Sequence, residues 1–366
     1  MFLVITRNFP PDLGGIQSLM GGLSTNLLDH GPVKVFANEF ENSKNYDQNS
    51  PLNIERIKGI KLFRKYRIAN LANNFINDNS DIRAIITDHW KSLELLKTDY
   101  LKKTKTLCLI HSKEINHDVG SSLNKRIIKS MNKANYVIAN SNFTKELAIK
   151  IGIDSTKIHI IFPGIEEPKI IKNNYKIEAQ TIFKESFPKL ITVARLDLRK
   201  GHDKVLMLIK NMKVIFPKIK YISVGHGDQE NNLIKLTKEL NIENEVVFLK
   251  NINENLKYSL MAESNLFIMP SRIVKKSVEG FGISFVEAAS FGIGSIGGKD
   301  GGASDAIIHN KTGLICDGNE LNSIYEATNY FFKNNNFIKF GKSAKDISQN
   351  FYWKKIVKDY IKLINS

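Results

Sequence analysis

Two basic residues and a glycine follow an apolar run in the second half of the chain. Arg195 and Lys200 lie five positions apart, and Gly201 comes directly after the lysine. An arginine can hold a phosphate through two parallel hydrogen bonds, and a lysine adds a point charge. Basic loop residues are often merely solvated, but this loop leaves the carboxyl end of a predicted strand, where open parallel sheets bind ligands. The loop therefore predicts a diphosphate site.

Two glutamates, Glu279 and Glu287, stand eight residues apart further along. If most of that interval is helical, a rise of 1.5 Å per residue separates the two carboxylates by roughly 12 Å. Paired glycosidase carboxylates lie only about 5–10 Å apart. The larger spacing instead matches the reach from the hexose to the ribose of a nucleotide sugar. Between the glutamates, Gly280-Phe281-Gly282-Ile283 leaves the amides at the start of the helix open to phosphate.

Glycine-rich turns recur at other predicted strand ends. Gly14 and Gly15 lead from the first strand into a helix, where the backbone can approach a diphosphate or a developing anion closely. Gly225 and Gly227 follow a strand of the second half, and residues 297–302 contain four further glycines. An ordinary turn is the alternative interpretation of each loop, and none matches a dinucleotide or Walker motif.

Short apolar runs alternate with segments of helical period, which predicts parallel sheets covered by helices. The predicted strands are Phe2–Thr6, Val33–Ala37, Arg83–Thr87, Thr106–His111, Tyr136–Ala139, Lys157–Phe162, Leu190–Arg195, Tyr221–Val224, Val246–Leu249, Leu266–Met269, Gly294–Ile296 and Gly313–Cys316. The pattern predicts an α/β protein with two doubly wound, Rossmann-like lobes that face each other across a cleft. We expect an N-terminal lobe over 1–163, an irregular linker over 164–188, a second lobe over 189–345, and a C-terminal helix over 346–366 that returns to the first lobe.

The composition of the 366 residues narrows the function classes. The charged and apolar fractions of 25% and 42% are ordinary for globular proteins, and no apolar run is long enough to span a membrane. Met1 opens a strand-like run without a signal peptide, so we expect a cytoplasmic protein. The two cysteines, Cys108 and Cys316, are predicted to be buried structural thiols.

The net charge of +16 favours an anionic partner or simply solvated lysines. Six basic residues and no acidic one lie in the segment Arg56–Arg67. A second basic segment, Lys125–Lys133, has the pattern of an amphipathic helix, either at a membrane interface or on an ordinary protein surface. Nucleic acid binding is suggested by charge alone, because the aromatic platforms and compact motifs of such modules are missing.

Several motifs occur in order along nearly the whole chain and resemble the family 4 retaining glycosyltransferases of the GT-B fold. They are Pro-Pro-x-x-Gly14-Gly15, Arg195…Lys200-Gly201, Gly225-x-Gly227, Pro270-Ser271, Glu279-Gly-Phe-Gly…Glu287-Ala, Gly301-Gly302…Thr312-Gly313 and Tyr352-Trp353. The second half carries the more specific motifs. The inserted loop between Ser271 and Glu279 is most similar to the phosphatidylinositol-mannoside mannosyltransferase branch.

The resemblance implies a role for each matched residue. Arg195 and Lys200 would hold the donor diphosphate and stabilise the leaving nucleotide, and Glu287 would bind the ribose. Glu279 and the amides of Phe281 and Gly282 would contact the transferred sugar. The residues given a role are His111, Glu279, Arg195 and Lys200 in catalysis, and Gly14, Gly15, Arg195, Lys200, Gly225, Phe281, Gly282, Ile283 and Glu287 in donor binding. His111 would lie beside the reacting sugar, with His117 as a rival.

The resemblance implies a hexose, of mannose or glucose type, moved with retention from a GDP- or UDP-sugar to a hydroxyl of a lipid-linked or glycan acceptor. The activity would serve the synthesis of cell-envelope glycolipid or polysaccharide. No Asp-x-Asp occurs in the sequence, so we expect no metal and no cofactor besides the donor substrate. The basic first-lobe segments would contact an anionic membrane at its cytoplasmic face, and no nucleic acid would bind. A non-catalytic protein that captures a sugar or nucleotide is the alternative.

Overall fold

The chain forms two compact units of similar size. The computed structural model describes residues 1–366, except that the side chain of Lys61, one of the basic residues of segment 56–67, lies outside the described part. Unit 1 comprises Met1–Glu166 together with Phe351–Ser366, and unit 2 comprises Glu167–Asn350. Each unit has its own apolar core.

Unit 1 is built on a parallel sheet of seven strands in the order β3-β2-β1-β4-β5-β6-β7. Its central strands are buried and rich in Val, Ile and Leu, as expected for a sheet covered on both faces. Its elements are β1 (Phe2–Thr6), α1 (Gly15–Leu27), β2 (Val33–Asn38), α2 (Ser43–Gln48), β3 (Asn53–Ile57), α3 (Arg64–Asp78), β4 (Ala84–Thr87), α4 (Trp90–Glu94), α5 (Thr98–Leu101), β5 (Lys105–Ile110), α6 (Ser122–Met131), β6 (Tyr136–Ala139), α7 (Asn142–Lys150) and β7 (Ile158–Ile160).

Unit 2 repeats this plan with a parallel sheet of six strands in the order β10-β9-β8-β11-β12-β13. Its elements are α8 (Asn173–Phe183), β8 (Lys189–Val193), α9 (His202–Met212), β9 (Lys220–Val224), α10 (Glu230–Glu239), β10 (Val246–Leu249), α11 (Glu254–Glu263), β11 (Leu266–Met269), α12 (Ile283–Ser290), β12 (Ser295–Gly298), α13 (Ala303–Ala306), β13 (Gly313–Cys316), α14 (Leu321–Phe332) and α15 (Asn336–Ser348). The predicted α/β class with Rossmann-like sheets is therefore confirmed.

In both sheets the strand order reverses beside the first strand, because the next two strands lie on one side of it and the later strands on the other. Such a switch point leaves a crevice at the carboxyl ends of the two central strands, where ligands bind. The crevice is at β1 and β4 in unit 1, and at β8 and β11 in unit 2. The loops that carry Gly14, Lys200 and Glu279 lie at three of these strand ends, and the other predicted site loops follow the neighbouring strands β5, β9 and β12.

Two parts of the sequence prediction were wrong. The segment 164–188 is not irregular throughout, because α8 occupies residues 173–183 and buries Ala179 and Phe183. Prolines flank this helix in the sequence, and they favoured an irregular segment over a helix. The edge strand β3 was missed because its sequence, Asn-Ile-Glu-Arg-Ile, is half polar, as an edge strand tolerates.

The last helix, α16 (Trp353–Asn365), belongs to unit 1 and packs against α1. Ile165 and Tyr352 form a parallel bridge, with two backbone hydrogen bonds that join the end of the first chain segment to the start of the last. The Trp353 ring lies against Gly22 and Gly164, where a Cβ on either glycine would come within 2.4 Å of the indole. Both glycines make room for this ring.

Candidate active site

The predicted basic loop and the predicted glutamate come together at the switch point of unit 2. The loop after β8 contains a short turn, Leu198–Lys200, and the loop after β11 contains Glu279. Gly201 has φ 77°, and a Cβ there would lie 2.4 Å from the Pro270 carbonyl oxygen. Glycine therefore allows the two loops to touch at the base of the site.

Glu279 is buried in an ion cluster. One carboxylate oxygen, Oε2, accepts a hydrogen bond from Arg199 Nη1 at 2.7 Å and another from Lys200 Nζ. All three side chains are nearly inaccessible, with 10–11% of each exposed. Asp197 lies 3.7 Å from the Arg199 guanidinium, so two acids and two bases share the pocket floor.

Burial and charge act in opposite directions on Glu279. Burial by itself raises the pKa of its carboxyl, but Lys200 and Arg199 outweigh that effect and lower the pKa to about 2. Burial also lowers the pKa of Lys200, although Glu279 opposes it. At neutral pH Glu279 is therefore an ionised acceptor of hydrogen bonds and has no proton to give.

The inserted loop that leads to Glu279 is anchored on both sides. Arg272 pairs with Asp203 on α9 at 2.7 Å, and its backbone N–H donates to the Arg199 carbonyl oxygen. On the other side, the N–H of Gly302 donates to the carbonyl oxygen of Glu279 at 2.9 Å. The second glycine-rich loop therefore supports the backbone of Glu279.

Helix α12 starts directly behind this cluster. Gly282 is its N-cap, with φ 88°, and Ile283 is its first residue. A Cβ at Gly282 would lie 2.5 Å from the Phe285 ring, so only glycine fits this turn. The first N–H groups of a helix have no partner within it and favour anions. Phe281 buries its side chain just before the turn.

Other predicted donor residues lie at the same sheet edge but outside the cluster. Arg195 is 64% exposed and faces Asp197 at 3.6 Å. Glu287 lies on α12, where its carboxylate accepts a hydrogen bond from Lys257 at 3.2 Å. Gly225 follows β9 and donates its N–H to Leu249.

In unit 1 the corresponding edge carries the other predicted residues. Gly14 is the N-cap of α1 and Gly15 is its first residue, as the sequence predicts. His111 follows β5, and its Nε2 lies 3.0 Å from the Asp88 carbonyl oxygen. Its own N–H donates to Glu114 at 2.5 Å. The rival, His117, lies further along the same loop, where its N–H donates to Ile115.

Asp88 organises this edge. It is fully buried directly after β4, and its carboxylate accepts hydrogen bonds from Arg7 N–H at 2.9 Å, the Asn8 amide at 3.2 Å and the Ser92 hydroxyl at 2.8 Å. The same residue therefore binds the β1–α1 loop through its side chain and contacts His111 through its backbone. His89 next to it has a pKa lowered to about 2, by burial first and then by Arg7 and Lys91.

Arg199 and Asp88 were missed at the sequence level. Arg199 stands next to Lys200 in a loop already assigned to phosphate, and nothing in the spacing separates it from Arg195. Asp88 gave a usable signal, because a carboxylate directly after a strand at the switch point is a candidate for the site.

The structure shows how the two basic segments of unit 1 are packed, and for the second it decides between the two alternatives. Arg56 is buried, with only 6% of its side chain exposed, and it pairs with Asp47. In α6 the apolar face, with Ile127 and Met131, packs into the core of unit 1. Helix α6 is therefore an ordinary surface helix, and its apolar face does not meet a membrane.

Several general features of the described residues bear on the chemistry. Cys108 and Cys316 are buried, and burial raises the pKa of each thiol to about 12, so both are structural as predicted. Among the described side chains, no group of three His, Cys, Asp or Glu could hold a metal ion. None of the described helices has the length and apolar content that crossing a membrane takes.

Comparison with solved structures defines the class of protein. HepE from Anabaena, in a complex with UDP-glucose, matches this chain over the full length of both chains, with 18% identity and a TM-score of 0.81. WaaG, a glycosyltransferase of lipopolysaccharide biosynthesis, matches over 99% of each chain with 14% identity and a TM-score of 0.73. With its two Rossmann-like sheets, the chain has the GT-B fold.

Family models and curated relatives complete the assignment. Residues 13–167 match the model of Glycosyltransferase Family 4, and residues 173–352 match that of Glycosyl transferases group 1. A GDP-mannose-dependent alpha-(1-6)-phosphatidylinositol monomannoside mannosyltransferase from Mycolicibacterium smegmatis is 24% identical, over 89% of this chain and 87% of the relative. The gpi3 subunit of a phosphatidylinositol N-acetylglucosaminyltransferase from Schizosaccharomyces pombe is 24% identical, over 84% and 68%. The chain belongs to the family 4 glycosyltransferases.

Proposed function

We propose that the protein transfers a hexose from a nucleotide diphosphate sugar to a hydroxyl of a glycolipid or glycan acceptor, with retention of configuration. The observation that carries the proposal is the Glu279–Arg199–Lys200 cluster at the switch point of unit 2. It provides two cations for a diphosphate and one ionised carboxylate for sugar hydroxyls. The mycobacterial relative, which uses GDP-mannose by its name, and the UDP-glucose complex of HepE support a donor of this class.

In the proposed reaction the bond between the anomeric carbon and the diphosphate oxygen breaks, and the acceptor oxygen bonds to that carbon. The acceptor proton passes to the departing phosphate oxygen, and a nucleoside diphosphate leaves. Arg199 and Lys200 of the cluster, together with the exposed Arg195, stabilise the developing phosphate charge, assisted by the amides at the start of α12. Glu279 binds the hydroxyls of the transferred sugar, and Glu287 binds the ribose.

The residues of unit 1 act on the same substrates in this proposal. Gly14 and Gly15 offer backbone amides at the start of α1 to the donor phosphate. His111 contacts the reacting sugar, and Asp88 fixes the backbone on which His111 rests. No metal ion takes part, because the basic side chains and the helix amides supply the positive charge.

A thermal-shift panel tests the donor site first. UDP, GDP and ADP and their sugars are added to the whole protein with and without EDTA. A ligand that binds only the folded state raises the melting temperature by mass action. We expect one nucleotide family to stabilise the protein, unchanged by EDTA. No shift with any of them would contradict the donor site, and loss of the shift in EDTA would contradict metal independence.

Turnover separates an enzyme from a protein that only captures its ligand. The stabilising donor is incubated with phospholipid and glycan acceptors, and the anomeric configuration of the product is read by NMR. Retention of the donor configuration is expected. Tight donor binding without transfer to any acceptor would favour the non-catalytic alternative, and inversion would contradict the retaining mechanism.

The acceptor side of the proposal includes contact with an anionic membrane. The segment between β3 and the first turns of α3 exposes Ile60, Leu62, Phe63 and Tyr66, at 50–73% of their surface. Lys58 and Arg67 are exposed in the same segment. Apolar side chains that alternate with basic ones suit the interface of an anionic bilayer.

Sedimentation with lipid vesicles tests the membrane contact. We expect the protein to bind vesicles that contain an anionic phospholipid and to release them in high salt. Leu62→Ser with Phe63→Ser should reduce binding, whereas Lys125→Gln with Lys129→Gln on α6 should change it little. Equal binding by the first variant and the wild type would contradict the proposed surface.

A further inference from the structure

We propose that Arg56 is a positioning residue, which fixes the β1–α1 loop (residues 7–14) so that Gly14 and Gly15 are presented in one geometry. The inference rests on the proposed role of those two glycines. From the sequence alone, Arg56 was assigned to an exposed basic segment. In the structure, the Arg56 guanidinium is instead one of the most enclosed cations of unit 1.

The Arg56 side chain connects three elements. From β3 it reaches Asp47 on α2, with Nε 3.0 Å from Oδ2 and Nη2 2.7 Å from Oδ1. Nη2 also donates to the Pro10 carbonyl oxygen at 2.5 Å, and Nη1 donates to the Asn38 carbonyl oxygen at 3.2 Å. One side chain therefore binds α2, the end of β2 and the middle of the β1–α1 loop.

Neighbouring contacts hold the first half of the same loop. The Asn38 side-chain amide donates to the Arg7 carbonyl oxygen at 3.1 Å. The Phe9 ring lies beneath the Arg56 guanidinium at 5.5 Å and meets the Tyr46 ring edge-on. The loop is therefore fixed at residues 7, 9 and 10, a few residues before the glycines that start α1.

The contacts of residue 56 need the several N–H donors of a planar guanidinium group. Only an arginine can donate to a carboxylate and to two separate carbonyl oxygens while it stacks on an aromatic ring. A lysine at position 56 would keep the charge opposite Asp47 but would lose the Pro10 or the Asn38 carbonyl. The loop would then sample several positions. Displacements of about 1 Å can cost up to about a hundredfold in rate when they disturb reacting groups.

The test compares Arg56→Lys with Arg83→Lys in the whole protein. Arg83 is a matched control in the same unit, because it donates to the His30 carbonyl oxygen and to Asn365 and lies over the Phe2 ring, just before β4. We expect kcat of Arg56→Lys to fall at least about tenfold while KM for the donor changes less than about threefold. Arg83→Lys should keep both constants. A folded Arg56→Lys variant with wild-type kcat and wild-type hydrogen exchange in the β1–α1 loop, or an equal loss in Arg83→Lys, would overturn the proposal.

Hydrogen exchange gives a readout that does not depend on activity. Peptides that cover residues 8–16 should exchange faster in Arg56→Lys than in the wild type and in Arg83→Lys. Unchanged exchange would overturn the positioning role by itself. Faster exchange with unchanged kcat would support the positioning role of Arg56 but contradict the proposed role of Gly14 and Gly15. Asp47→Asn, which keeps one acceptor oxygen, should give a smaller change in the same direction and serves if Arg56→Lys fails to fold.

Discussion

The two units share a strand order and differ in how they satisfy polar groups at their switch points. In unit 2, Glu279 is held by two cations, with Asp197 close by, so the charges of four side chains nearly cancel in a buried cluster. In unit 1, Asp88 is held by an N–H group, an amide and a hydroxyl, without a cation among these partners. His89 beside it is neutral, because burial prevents its protonation.

This contrast shows how one scaffold serves two kinds of chemistry. An ion pair can exchange its anion for another, so in the proposed reaction a diphosphate would compete with Glu279 for Arg199 and Lys200. A carboxylate saturated by one backbone N–H, one side-chain amide and one hydroxyl has no cation to exchange in that way, and it fixes geometry instead. The proposed division of labour, with charge handled in unit 2 and positioning in unit 1, follows from these two environments.

The largest effect is expected for Glu279→Gln. The variant keeps the shape of the side chain but leaves Arg199 and Lys200 without their anion and the sugar without a charged acceptor. We expect kcat to fall by at least about a hundredfold. Steady-state kinetics measure the loss, and near-UV circular dichroism checks the fold.

Lys200→Ala should likewise abolish most turnover. Near wild-type activity in either variant would remove that residue from the site.

A pH dependence of unit 1 comes next. The pKa of His89 is about 2 in the folded protein against about 6.5 unfolded, so only the unfolded chain binds this proton as the pH falls below 6.5. The folded state should lose about 2 kcal/mol between pH 7 and pH 5. Both tryptophans, Trp90 and Trp353, belong to unit 1, so their fluorescence follows its unfolding. His89→Asn keeps an N-cap acceptor for Lys91 and should flatten this slope; an unchanged slope would contradict the assignment.

A smaller loss is expected for Asp88→Asn. One carboxylate oxygen is replaced by an NH₂ group, which is a donor and would face another donor, either Arg7 N–H or Ser92 Oγ–H. We therefore expect the β1–α1 loop and His111 to shift. We expect kcat to fall roughly tenfold, with nucleotide-induced stabilisation little changed because most of the proposed nucleotide contacts, those of Arg195, Lys200 and Glu287, lie in unit 2. Asp81→Asn, at an exposed acid next to the N-terminal amine, is the control. A loss of nucleotide binding in Asp88→Asn would contradict the proposed division of labour between the two units.

The smallest effect should come from Glu287→Gln. The residue is partly exposed, and its ionic partner among the described side chains is Lys257. Exchanging a charge-assisted hydrogen bond to a ribose for a neutral one should raise the donor KM about three- to tenfold and leave kcat unchanged. A fall in kcat as large as that of Glu279→Gln would show that the two glutamates act as one unit.

Much of the fold follows from the sequence because buried parallel strands produce continuous apolar runs. The twelve predicted strands are present, whereas β3 is an edge strand whose polar residues imitate a loop. Local cap chemistry is also legible in the sequence: Ser141, a residue type typical of an N-cap, precedes α7 and accepts a hydrogen bond from Thr144 N–H. Helix α8 was missed because prolines stand on both sides of it and because it buries only Ala179 and Phe183, which leaves little apolar periodicity in its sequence.

The site was only partly predictable, for a different physical reason. Motif spacing locates loops such as 195–201, but it does not say which of two neighbouring arginines turns inward. Arg199 is buried against Glu279 and Arg195 is exposed, and this choice depends on tertiary packing. Arg56 shows the same limit, because a charge run in sequence does not reveal that one member pairs with Asp47 inside the protein.

The way α16 completes unit 1 affects how the chain is made. Residues 351–366 are translated after unit 2, yet Trp353 fills a gap that Gly22 and Gly164 leave open in the part of unit 1 that is translated before unit 2. On the ribosome, unit 2 has all its residues before unit 1 has its final helix. Until α16 is made, the apolar side chains of α1 that α16 covers stay exposed. Nascent chains halted before residue 353 are therefore candidates for capture by a chaperone.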